Sequence, residues 1–366
     1  MTFPVLHLDG DAYDQGRQHG SALRDQIAEN LDLYFERFLT EGKLEPAEAR
    51  ARADGYASVL ANHPYIDGLK GLADGCGLPF NDLLTLNLRY ELLYYQFGVC
   101  AVGRPDGCTA FAILPSQTQS QHLLLGQNWD WIPGVRGAVV HTREPDGTET
   151  LSFTEAGILG GKVGLNSHGL GLAINGLVST SDDWSRRAMP FHVRCYDILR
   201  QSTLNLARHV VLGSPRPCSA NFLLAQPPEA VVNIEAAPLT ARELLAGEGW
   251  LVHANHFIDP GQLDVQEPAA ERRPHSYLRQ ARLSQLIDAR RPVGVADLQA
   301  ALRDHDNYPD GLCRHENPSD PPEERYTTVT SVIMDLDERS LWLTDGPPCE
   351  HLYDELSLPH TALVGH

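Results

Sequence analysis

Four short segments of this 366-residue chain hold the residues best able to do chemistry. The first is Asp106-Gly-Cys-Thr109, a turn-forming Asp-Gly pair followed at once by a thiol that opens a β-type run. Glycine before cysteine leaves the Gly107 carbonyl unshielded. The Cys108 thiol can attack it, move the acyl group from nitrogen to sulfur, and let water split the chain between Gly107 and Cys108. Cleavage would release the α-amino group of Cys108, whose reference pKa of about 7.7 to 8.0 suits a base. The thiol, with a reference value of about 8.5, needs only that help to become a nucleophile.

The second segment, Gly126-Gln-Asn-Trp-Asp130-Trp131, gathers amide, carboxylate and indole groups at a strand end. Paired as a hairpin with the strand that starts at Cys108, it would bring Asp130 beside the strand head, where a carboxylate orients ammonium and thiol. The third is His253-Ala-Asn255-His256-Phe257. Its Asn255 amide can hold a developing oxyanion, a role worth about 2.7 to 4 kcal/mol. His253 and His256 raise the alternative of a metal, but no carboxylate or cysteine stands near them in sequence, so no metal site is expected. In the fourth, Gly164 to Gly176, backbone N–H groups near Asn175 could complete an oxyanion hole; the stretch reads equally well as a plain hairpin with an Asn-Gly turn. Asn128 and Thr109 are further candidates for contact with substrate. The GxSxG, HExxH, GxxxxGK[ST] and strand-linked GxGxxG patterns are missing, which removes the common hydrolase, zinc and nucleotide signals.

Composition limits the partners. A formal charge of -19 and no dense Lys/Arg run speak against nucleic acid. The first residues show no basic leader, no apolar run is long enough to span a bilayer, and a cytoplasmic location without membrane contact is the expectation. Seven scattered cysteines without a CxxC pair read as free thiols.

The elements needed to position these groups can be read coarsely. Amphipathic spacing predicts a helix within Asp11 to Leu39, a second at Pro46 to Ala61 and a third at Asn81 to Tyr95. After Gly107 short β-type runs dominate, beginning with Thr109 to Leu114 and His122 to Gln127, and ending with Thr328 to Asp335 and Ser340 to Thr344. Helices are expected among them at Phe191 to Arg200, Ser276 to Ala289 and Val295 to Asp304. Asn307 to Glu324, rich in Pro, Asp and Glu, reads as a loop or lid. The expected organisation is α+β: a helical segment 1–107 packed as one domain with a catalytic portion 108–366.

Together the segments resemble the acyl-coenzyme A:6-aminopenicillanic acid acyltransferase family of self-processing N-terminal-nucleophile enzymes, peptidase family C45. The likeness rests on Gly10-Asp-Ala-Tyr-Asp-Gln-Gly16-Arg-Gln-His-Gly20, Asp106-Gly-Cys-Thr109, Gln127-Asn-Trp-Asp130, Asn255-His-Phe257 and Ser331-Val-Ile-Met-Asp335, in that order. It implies a four-layer αββα sandwich, Cys108 as nucleophile, Asp130 as its supporting carboxylate and Asn255 as oxyanion donor. Choloylglycine hydrolases look similar around Asn175. Those relatives carry arginine three residues before the matching aspartate, where this chain has Gln127, which counts against carboxylate-bearing substrates of their type. The family's arginine before its late strand points to Arg325, with Arg314 its rival. The implied enzyme, an autoproteolytic amidohydrolase or acyltransferase, needs no cofactor; acyl-CoA would enter as a substrate. Its partners would be a small acyl donor and acceptor, and the two cleavage fragments would hold each other; a homo-oligomer is compatible. The competing readings are a chain that keeps the fold without cleaving, and a thiol hydrolase in which His253 or His256 serves an unprocessed Cys108.

Overall fold

The computed structural model describes residues 3–100, 107–267 and 274–359. Its elements in chain order are β1 (Val5–Asp9), α1 (Ala12–Ala22), α2 (Arg24–Thr40), α3 (Pro46–Ala57), α4 (Pro64–Cys76), α5 (Phe80–Asn87), α6 (Arg89–Gly98), β2 (Thr109–Ile113) and β3 (Leu124–Trp131). There follow β4 (Gly137–Arg143), β5 (Glu149–Glu155), β6 (Val163–Asn166), β7 (Gly171–Gly176), α7 (Phe191–Leu199), α8 (Leu204–Leu212), β8 (Ala220–Gln226) and β9 (Ala230–Ala236). The chain closes with β10 (Ala241–Leu244), β11 (Trp250–His253), α9 (Pro274–Asp288), α10 (Val295–Leu302), β12 (Thr327–Asp335), β13 (Ser340–Leu343) and β14 (Asp354–Ser357).

Two sheets stack face to face. The larger runs β1-β4-β5-β6-β7-β8-β9-β10 and the smaller β11-β2-β3-β12-β13-β14. All neighbours are antiparallel except β1, which pairs parallel with β4. Sheet meets sheet where β2 and β3 cross β7. Helices α1, α7 and α8 lie on the larger sheet, with α2 to α6 packed among them, while α9 and α10 cover the outer face of β11, β2 and β12. This is the expected four-layer αββα sandwich. The 1–107 segment is woven into it, because β1 forms an edge of the larger sheet.

Strand alternation decides what each side of β2 and β3 meets. Ala110, Ala112, Leu125, Trp129 and Trp131 belong to the core between the sheets. Phe111, Ile113 and Leu124 instead join Leu283, Ile287, Leu298 and Leu302 under α9 and α10.

Helix α4 was not visible in the sequence because Gly68, Gly71 and Gly75 dilute its propensity. Tertiary contact explains them, and explains Gly16 and Gly20 of the N-terminal motif. A Cβ on Gly16 would lie 2.0 Å from the Gly68 carbonyl oxygen, and one on Gly71 the same distance from that of Tyr13. The two helices therefore touch backbone to backbone. Gly71→Val is expected to cost about 1 to 3 kcal/mol by overpacking, read as a lower urea midpoint; an unchanged midpoint would contradict the close approach.

The long helices expected at Asp11 to Leu39 and Asn81 to Tyr95 are each two helices. Leu23 (φ -120°, ψ 26°) and Leu88 (φ -104°, ψ 10°) leave helical geometry and bend the chain between them. The Asn307 to Glu324 stretch is irregular as expected, apart from one short turn of helix at Pro322–Glu324.

Candidate active site

Cys108 stands immediately before β2, and its side chain belongs to the core between the two sheets. The Asp106 half of the expected turn lies outside the described residues. Pairing of Thr109 with Asn128 carries on so that Gly107 meets Asp130: a Cβ on Gly107 would sit 2.6 Å from the Asp130 carbonyl oxygen. Only glycine allows residue 107 to lie so close. The hairpin therefore brings Asp130 to the strand head, as its spacing implied.

Asp130 projects toward the α9 and α10 side. Its carboxylate accepts from Thr328 Oγ1 at 2.7 Å, and Thr328 Oγ1 in turn accepts from the Arg314 backbone N–H at 2.9 Å. Burial pushes the Cys108 thiol up to about 12; the Asp130 charge pushes the same way, while Arg279, Lys162 and the Asp130 backbone N–H oppose it. The sulfur is a buried thiol.

The residue that organises this site was not anticipated. Arg279 of α9 is 1% exposed. Its Nη1 donates to the Cys108 carbonyl at 2.8 Å, to Thr109 Oγ1 at 2.7 Å and to the Gly107 carbonyl at 3.4 Å, and its Nη2 donates to Asn255 Oδ1 at 3.1 Å. Asn255 Oδ1 also accepts from the Gly107 N–H at 3.1 Å, and Asn255 Nδ2 donates to the Gly176 carbonyl at 3.1 Å. A guanidinium fork and one amide thus grip both sides of the Gly107–Cys108 peptide. One signal was readable in sequence: Ser276 and Arg279 stand one turn apart on a predicted helix face, and Ser276 Oγ accepts from the Asn255 N–H at 2.8 Å.

Asn175 is fully buried; its Oδ1 accepts from Asn221 Nδ2 at 2.9 Å, and its Nδ2 has no protein acceptor among the described residues. Gln127 Oε1 accepts from the Ile174 N–H at 2.7 Å, so the residue replacing the relatives' arginine ties β3 to β7 across the sandwich. A second unanticipated cluster flanks the thiol. Lys162 and Arg89 both pair with Glu155, Tyr34 donates to the same carboxylate, and Lys162 Nζ lies 3.2 Å from the Trp129 ring centre. Burial holds Lys162 below the usual lysine range against the pull of Glu155. Against its own desolvation, Glu155 is held low by Arg89 and Lys162.

Other sequence candidates are directed elsewhere. Asn128 Nδ2 donates to the Leu302 and Leu312 carbonyls at 2.9 and 2.8 Å, anchoring α10 rather than facing the thiol. Arg325 donates to the Asp320 and Pro318 carbonyls at 3.0 and 3.1 Å, and Arg314 pairs with Asp310 at 2.8 Å. The arginine found at the head of β2 comes instead from α9, because α9 and not the loop before β12 covers that end of the strand. His253 Nε2 lies 2.9 Å from Glu235 Oε1 and its Nδ1 3.3 Å from Asn175 Oδ1, while His256 Nδ1 lies 2.8 Å from the Ser276 Oγ that accepts from the Asn255 N–H, so both border the site through its asparagines.

A nucleophile-type residue heading an inner strand of an αββα sandwich is the arrangement of the N-terminal-nucleophile hydrolase fold. The chain belongs to the acyl-coenzyme A:6-aminopenicillanic acid acyl-transferase family, whose sequence model matches residues 116–349. That match takes in Asp130, Asn175, Asn255 and Arg279 and begins after Cys108. The chain is 24% identical to protein dcd1B of Dictyostelium discoideum over 59% of its own length and 46% of that protein, so it spans just under half of that relative. It is 25% identical to the beta-alanyl-dopamine/carcinine hydrolase of Drosophila melanogaster over 96% of this chain and 94% of that one. Among solved structures it is similar to the N-acylethanolamine-hydrolyzing acid amidase ortholog of Caenorhabditis elegans, with a TM-score of 0.43 and 16% identity over 63% of this chain and 93% of the other. No helix among the described residues is long and apolar enough to cross a membrane.

Proposed function

We propose that the chain cuts itself between Gly107 and Cys108 and then works as a cysteine amide hydrolase or acyltransferase on small acylated amines. The observation that carries this reading is the grip of Arg279 and Asn255 on the Gly107–Cys108 peptide. In the first step Cys108 Sγ attacks the Gly107 carbonyl carbon, and negative charge develops on an oxygen already 3.4 Å from Arg279 Nη1. The C–N bond then breaks, the thiol proton passes to the departing nitrogen, and a Gly107 thioester remains on sulfur. Water cleaves that thioester, giving a Gly107 carboxylate, a free thiol and the α-amine of Cys108.

Turnover repeats the chemistry on an external amide. The α-amine takes the thiol proton, the thiolate attacks the substrate carbonyl, and the departing amine receives that proton. Asn255 and the buried Asn175 amide are the donors we assign to the oxyanion, and Asp130 the carboxylate that orients the new ammonium. Water resolves the acyl-enzyme in a hydrolase, a second amine in a transferase. The Drosophila relative, named for beta-alanyl-dopamine and carcinine, supports amides of small acyl groups as the substrate class. Seven unpaired cysteines support a reducing compartment, the cytoplasm.

The test is the mass of the 108–366 fragment after incubation with a panel of acyl-CoA thioesters, N-acyl amino acids and beta-alanyl amides. Addition of one acyl group to Cys108 is expected; a fully cleaved protein that no panel member acylates would remove the substrate reading. A companion prediction concerns Gly107→Ala. Its Cβ forces the strand head away from the Asp130 carbonyl and the Gly107 carbonyl away from Arg279, so self-cleavage should slow by about 10²-fold. Cleavage at the wild-type rate, followed by mass spectrometry over time, would count against the role given to this close approach.

A further inference from the structure

His305, Cys313 and His315 of one loop and the sequence-distant Cys349 present ligand atoms that all lie within 4.8 Å of one another. His305 Nε2 and His315 Nε2 are 3.1 Å apart, and the two sulfurs 3.5 Å apart. His315 Nε2 lies 3.6 Å from Cys313 Sγ and 3.3 Å from Cys349 Sγ. A tetrahedral zinc ion with bonds of about 2.3 Å to sulfur and 2.0 to 2.1 Å to nitrogen requires ligand-to-ligand edges of about 3.3 to 3.8 Å. These four edges lie in or just below that range, and the two from His305 to the sulfurs are at most 4.8 Å. We propose that these four residues form a structural Zn²⁺ site, which revises the sequence expectation of no metal.

The donor set suits zinc. Two thiolates with two imidazoles favour a borderline-soft ion in tetrahedral geometry over Mg²⁺ or Ca²⁺, and four protein ligands leave no open position, as in a structural site. Binding would release the two thiol protons, and Zn²⁺ with two thiolates and two neutral imidazoles carries no net charge. The surroundings hold the ligands in place. His315 Nδ1 lies 3.5 Å from Glu350 Oε1, the outer carboxylate that commonly orients a ligating imidazole. The Cys313 N–H donates to the Asp304 carbonyl at 3.1 Å, the His315 N–H to Pro309 at 2.9 Å, and Arg303 Nε to Pro348 at 2.7 Å, joining the two loops that supply the ligands.

The ion would pin residues 305–315 to the segment around 349. That loop lies behind the active site: Leu312 accepts the Asn128 amide, and the Arg314 N–H donates to the Thr328 hydroxyl that bonds Asp130. The sequence concealed the cluster because Cys349 stands apart from the other three and no ligands have CxxC spacing.

Elemental analysis of the full chain, purified from zinc-containing medium and desalted, should find about one zinc per chain. Cys349→Ser and His305→Gln, both at exposed positions, should fall below a tenth of that, while Cys100→Ser, an exposed cysteine outside the cluster, should keep it. Loading the wild-type chain with Co²⁺ in place of zinc should give a thiolate-to-cobalt charge-transfer band and intense tetrahedral d–d bands. The spectrum decides the matter even if a variant folds poorly. The proposal is overturned by zinc below a tenth of an equivalent together with a cobalt spectrum lacking those bands, by zinc content that neither variant changes, or by peptide mapping that finds Cys313 and Cys349 joined as a disulfide in most molecules.

Discussion

Cys108→Ala is expected to remain one chain of 366 residues under denaturing conditions, where the wild-type chain should separate into residues 1–107 and 108–366. The alanine variant lacks the sulfur assigned as nucleophile, and should lose with it both self-cleavage and any acyl-enzyme. The predicted loss is therefore complete rather than graded. It does not depend on unfolding, because the change removes only one sulfur from the residue before β2. Denaturing mass spectrometry reads both results at once. A wild-type protein that stays intact throughout would favour the non-cleaving reading, and turnover by an intact chain would point to an unprocessed thiol hydrolase.

The second large effect is expected at Arg279. Its guanidinium donates to the carbonyls on both sides of the Gly107–Cys108 bond and to Asn255 Oδ1, so it is aimed where charge would develop in the proposed cleavage. Removing one preorganised donor of this kind costs about 10²- to 10³-fold in rate. Arg279→Gln should slow self-cleavage by at least that much. Because a buried arginine in several hydrogen bonds also supports the fold, Arg279→Lys is the informative companion. It keeps the charge but loses the planar fork, and should fold normally while still cutting slowly. Cleavage of the lysine variant at the wild-type rate would show that charge alone suffices, and cleavage of the glutamine variant at that rate would remove Arg279 from the reaction.

How much of this was legible before the structure depends on distance along the chain. The β2–β3 hairpin could be read because turn residues, alternating apolar positions and a separation of twenty-two residues between Cys108 and Asp130 are local properties. Helix α4 could not, since its glycines lower helix propensity and gain their meaning only from contact with α1. Arg325 was a reasonable candidate by its place before β12, but the loop there turns its guanidinium onto the Asp320 and Pro318 carbonyls.

By itself the sequence determined the chemistry on offer: a thiol after glycine at a strand head, a carboxylate within hairpin reach, an asparagine after a later strand, and the order of segments that marks the family. Only the tertiary structure decided which cation stands against the Cys108 backbone and which histidines and cysteines gather in one cluster. Arg279 meets Cys108 across 171 residues, and Cys349 meets Cys313 across 36. Local spacing sets which face of a strand or helix a side chain occupies, whereas the packing of α9 against β2 and of one loop against another sets which faces meet.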